Sequence, residues 1–114
     1  MTIPAEILAE LEALRDSFRQ DARQQVLDLA AKWAALSKAL QDATGGDARA
    51  QIATLAGDAH RLAGTAATFA LAEIAEAARA LEFHLEAASE AEPSFPLDTK
   101  VADRLVEELK RTTR

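Results

Sequence analysis

Residues 52–85 read IATLAGDAHRLAGTAATFALAEIAEAARALEFHL, and the spacing of the apolar residues in this stretch decides the fold. Ile52, Leu55, Ala59, Leu62, Ala66 and Phe69 step by three and four residues. After Ala70 the pattern restarts with Leu71, Ile74, Ala78, Leu81 and Leu85. Each series lays one apolar stripe along an α-helix. The connection at Phe69-Ala70 is too short for anything but a tight turn, so the two helices form an antiparallel pair.

Upstream, no Gly or Pro occurs between Ala5 and Thr44. A single helix over that stretch would be about 60 Å long at ~1.5 Å per residue, about twice the length of either helix in the pair. Ser17-Phe18-Arg19-Gln20 fits a capping box, with Ser17 as N-cap and Gln20 at N3. The reading is therefore a short first helix over Pro4–Leu14 and a long second one over Phe18–Ala43. Ile7, Leu11, Leu14 and Phe18 line the first seam, and Val26, Leu29, Trp33, Leu36 and Leu40 the second. Gly45-Gly46 ends the second helix, and Asp47 caps the third. Downstream of the pair, Glu92-Pro93-Ser94-Phe95-Pro96 reads as a loop, with Phe95 as a lid on the bundle end. Asp98 or Thr99 starts a last helix through about Arg111, with Val101, Leu105 and Leu109 inward. The expected fold is all-α: an antiparallel four-helix bundle with a short additional N-terminal helix, forming one domain over residues 1–114.

Composition agrees. Of 114 residues 28 are Ala, only seven are Val or Ile, and none is Tyr, a balance that favours helix over strand. No apolar run reaches the ~18 residues of a membrane span, and no signal peptide is apparent at the start. The absence of Cys excludes a disulfide scaffold, a thiol nucleophile and a Cys-ligated metal site. A net charge of −6 argues against nucleic acid as the partner. The expectation is a cytoplasmic monomer that binds neither membrane nor nucleic acid.

His60 is the residue with chemistry to offer. On a helical wheel it lies well away from the seam of its helix and should be exposed. Its wheel neighbours are Ala53, Ala56, Gly57, Ala63, Gly64 and Ala67. A solvated face normally carries charged residues, and two helical glycines cost about 1 kcal/mol each relative to Ala. The small residues leave the imidazole on a shallow platform that a bulky protein partner could approach. Hairpin geometry puts Arg79 and Glu82 near the level of His60. A carboxylate accepting from one ring nitrogen would free the lone pair of the other. His84 has no further ligands of metal-binding type level with it, and no metal site is expected.

His60-Arg61-Leu62-Ala63-Gly64-Thr65-Ala66-Ala67-Thr68-Phe69-Ala70-Leu71, preceded by Ala59 and followed by Leu81-Glu82, resembles the histidine phosphotransfer (HPt) domain. The usual pattern of that family is His-x-Leu-Lys-Gly, a run of small residues, Gly, Leu, and later Leu-Glu. The resemblance implies a phosphoryl carrier of a two-component phosphorelay. His60 would take the group on Nε2 from a receiver-domain aspartyl phosphate or a hybrid histidine kinase, and pass it to another receiver. Glu82 would orient the ring and Arg79 would supply positive charge. Ala56, Gly57, Arg61, Ala63, Gly64 and Ala67 would form the binding surface. The protein would hold no cofactor of its own, since magnesium would sit on the receiver. It would not be a kinase, because nothing resembles an ATP-binding domain. Two positions depart from the pattern. Ala63 stands where the family has Lys, leaving Arg79 or Arg61 to substitute and transfer slower. Ala70 stands at the turn glycine, which implies a different backbone conformation there. The alternative function is a degenerate bundle that docks a receiver or kinase without being phosphorylated.

Overall fold

The computed structural model describes residues 3–41, 48–90 and 98–114. Among these the secondary structure is four helices: α1 (Ala5–Gln41), α2 (Ala48–Thr68), α3 (Ala72–Glu90) and α4 (Thr99–Thr112). They form an all-α four-helix bundle. The Gly45-Gly46 break, the Asp47 cap and the 92–96 loop with Phe95 lie outside the described residues.

The short N-terminal helix is not separate. Residues expected to form two helices form one, and Ser17 sits in mid-helix rather than capping anything. Nothing in Ala5–Gln41 breaks a helix, and the Phe18, Ala22, Val26 steps of four are ordinary α spacing. A helix this long need not be covered along its whole length. It is not: at ~1.5 Å per residue α1 runs almost the full 57 Å length of the molecule, and its first three turns overhang the bundle. Ile7, Leu8, Leu11 and Leu14 are each about half exposed there. Coverage begins at Phe18, whose ring stacks on Phe69 with centroids 5.0 Å apart. Arg15 Nε also donates to the Phe69 carbonyl at 3.2 Å, so α1 grips the α2–α3 turn.

The core fills with Val26, Leu29, Trp33 and Leu36 of α1, Ile52, Leu55 and Leu62 of α2, Ile74, Leu81 and Leu85 of α3, and Val106 and Leu109 of α4. Val101 and Leu105 are only partly buried, because the inward face of α4 is centred on Ala102, Val106 and Leu109. Trp33 Nε1 donates to Asp103 Oδ1 at 2.7 Å and fastens α1 to α4. Asp98 caps α4 by accepting from the amides of Lys100 and Val101, as its position ahead of the apolar series predicts.

The tightest pair is α2 and α3. Ala56, Ala59, Ala63 and Ala66 of one and Ala75 and Ala78 of the other are all buried, and such small side chains let two backbones approach closely. The turn between them closes as a Schellman motif: Leu71 N–H donates to the Ala66 carbonyl at 2.8 Å and Ala70 N–H to Ala67 at 3.1 Å. Ala70 takes φ of 58° to do so. The expectation of a different backbone conformation is therefore corrected. The turn keeps the left-handed geometry suited to glycine, and an alanine bears the strain.

Candidate functional site

His60 projects from the middle of α2 with its side chain 73% exposed. Across the helix pair, Glu82 of α3 is nearly covered, at 15%. His60 Nδ1 lies 2.8 Å from Glu82 Oε2. A carboxylate can only accept, so the ring nitrogen donates. In the neutral imidazole this fixes the proton on Nδ1. Nε2, on the side of the ring turned away from Glu82, keeps its lone pair. Of the residues placed near His60 by register, Glu82 is brought to it. Arg79 is not: it stays exposed and makes no hydrogen bond or ion pair among the described residues.

The platform is narrower than the sequence suggests. Ala56 and Ala63 are buried at 3% and 2%, inside the α2–α3 interface, and are not accessible to a partner. Ala53, Gly64 and Ala67 are exposed and Gly57 partly so, and these form the accessible floor. A Cβ added at Gly64 would meet nothing within 4 Å. Helical side chains lean toward the N-terminus, so any larger residue at 64 would lean over His60, one turn earlier. The bare glycine is what keeps that approach open. Thr65 and Thr68 turn their hydroxyls onto the carbonyls of Arg61 and Gly64, which keeps their polar groups occupied within the helix.

Arg61 pairs with Asp58, one turn back. Asp58 also holds Lys32 of α1 at 3.2 Å. These residues line an open cleft of about 390 Å³ between α1 and α2, together with Gln25, Asp28 and Thr65. Arg61 is an expected member of the binding surface, whereas Lys32 and Asp58 are not, because contacts across α1 and α2 leave no periodic signal in the sequence. His84 lies away from His60 and its Nε2 is 3.3 Å from the Asp98 carbonyl, where it donates to the start of α4. Among the described residues no three potential metal ligands cluster, and no helix is long and apolar enough to cross a membrane.

A model of the Hpt-domain family matches residues 5–112. The chain belongs to the Hpt-domain family. No curated protein and no solved structure matches it. Hpt domains serve histidine phosphotransfer in two-component phosphorelays, and they are carriers rather than kinases. The exposed histidine on this Hpt domain has its ring held from one side by Glu82 and open on the other.

Proposed function

We propose that this Hpt domain carries a phosphoryl group on His60 between receiver-domain aspartates, or from a histidine kinase to a receiver. The observation that carries the reading is the His60–Glu82 hydrogen bond, which in the neutral imidazole holds the proton on Nδ1 and leaves the Nε2 lone pair free on an exposed ring. In the transfer, the Nε2 lone pair forms the new bond to phosphorus. The bond from phosphorus to the donor aspartate oxygen breaks, and its electron pair returns to that carboxylate. Glu82 stabilises the positive charge that the ring gains, and the Nδ1 proton stays between them. The return step onto an acceptor aspartate is the reverse. Magnesium, expected on the receiver rather than on this chain, would stabilise the charge on the moving group.

The docking surface comprises His60, Gly57, Gly64, Ala67 and Arg61. Ala63, which stands where the family pattern has Lys, is buried and supplies no charge. Arg79, the other cation expected to serve the phosphoryl group, stays exposed on α3 apart from His60.

The test is incubation with a phosphorylated receiver. Acid-labile, base-stable label should appear on His60 and vanish in His60→Gln with helicity unchanged. Receiver binding without label on the wild type would favour an adaptor instead.

A further inference from the structure

Arg61 directly follows His60, and its side chain is exposed but tied to Asp58 one turn back. It folds back along the helix: a Cβ built on Gly57 would lie 3.6 Å from Arg61 Nη1. Gly57 falls between His60 and Arg61 on the helical wheel and puts no side chain between them. Glu82 draws Nδ1 toward α3, and Arg61 sits on the other flank of α2, in the cleft toward α1.

What holds Arg61 is Asp58, and Asp58 is shared. One carboxylate oxygen takes Arg61 and the other takes Lys32 Nζ at 3.2 Å. Asp58 thus has two cationic partners. Arg61 can therefore depart without stranding Asp58, which keeps Lys32. A phosphoryl group on Nε2 offers close to two negative charges and three acceptor oxygens, against one charge on Asp58. Its oxygens also suit the two-pronged geometry of a guanidinium. The residue that would otherwise bring a cation from α2, at position 63, is a buried alanine.

We propose that Arg61 is a parked phosphoryl-binding residue, held by Asp58 while His60 is unmodified and moved onto the phosphoryl oxygens once His60 carries the group. Asp58 then acts as the competitor that sets how readily Arg61 leaves. The inference rests on the carrier reading above and specifies which side chain stabilises its phosphorylated state.

The experiment uses the full chain and phosphoramidate as the phosphoryl donor, so that no receiver surface contributes. The ³¹P resonance of phosphorylated His60 is followed against pH in the wild type, Arg61→Ala, Arg61→Lys and Asp58→Asn. A cation on the phosphoryl group favours its more charged form, so Arg61→Ala should raise the phosphoryl pKa by about half a unit or more. Arg61→Lys should restore part of the difference, and Asp58→Asn should move the pKa below the wild-type value. The Arg61 Nε–Hε signal should shift on phosphorylation. A wild-type resonance whose titration is the same in Arg61→Ala would overturn this proposal alone. Absence of any phosphohistidine resonance at His60 would overturn the carrier reading and this one with it.

Discussion

Gly64 lies in the middle of an exposed helix face with ordinary helical backbone and open space where a side chain would be. Stability alone disfavours it. Gly64→Ala relieves backbone entropy with no steric cost, a gain of about 1 kcal/mol. Unfolding entropy near ~2.1 cal/mol/K per residue amounts to roughly 0.24 kcal/mol/K for a chain of this length, so Tm should rise by about 4 °C. Gly64→Leu should show a similar gain, since leucine is almost as good a helix former. Function should move the other way. A leucine at 64 leans back over the His60 ring and displaces the incoming aspartyl phosphate by an ångström or more. Misplacement on that scale costs about 10²-fold in rate. Thermal unfolding followed by circular dichroism and a phosphotransfer time course from a labelled receiver measure both effects on the same samples. Gly64→Leu transferring at the wild-type rate would refute the idea that the glycine clears space for the partner. A fall in Tm for Gly64→Ala would refute the open geometry itself.

Three further outcomes follow from single contacts. Ala70→Gly should raise Tm by about 4 °C, because releasing a left-handed alanine recovers about 1 kcal/mol; an unchanged or lower Tm would count against the strained turn. Glu82→Ala should slow phosphotransfer about tenfold, equivalent to about 1.4 kcal/mol of barrier. Nitrogen-15 spectra of the ring should then show mixed tautomers in place of the Nδ1–H form, and a pure Nδ1–H form in the variant would contradict the role given to Glu82. Asp103→Ala should cost about 1–2 kcal/mol by leaving the Trp33 indole N–H unpaired in the core, with a change in tryptophan emission; unaltered stability and emission would remove that link between α1 and α4.

Much of the site was legible because short-range geometry fixes it. The short turn after Phe69 sets α2 and α3 antiparallel, and counting outward from it places residue 82 beside residue 60. Side-chain extension is not set by register, which is why Arg79, at nearly the same level, stands apart from His60. The alanines were ambiguous for a different reason. Ala suits an exposed floor and a close helix contact equally, and the buried arc of α2 is wide because both α1 and α3 pack on it. Ala56 and Ala63 fell on the buried side of that arc, Ala53 and Ala67 on the open side. The continuity of α1 was missed because a serine followed three residues later by glutamine also occurs inside helices. The apolar residues before Phe18 repeat the core spacing, and periodicity does not reveal that they extend beyond the bundle that covers the rest of the helix. At Ala70 the turn geometry is imposed by the Schellman hydrogen bonds and the burial of Leu71, and these outweigh the preference of alanine.

The central claim is that His60 itself carries the phosphoryl group. It is tested most directly by mass mapping of the chain after exposure to a phosphorylated receiver, under conditions that preserve phosphohistidine. The account predicts one phosphoryl group, on His60, that a second receiver removes. A chain that binds the receiver yet stays unmodified, or that carries the group at His84 or elsewhere, would contradict it.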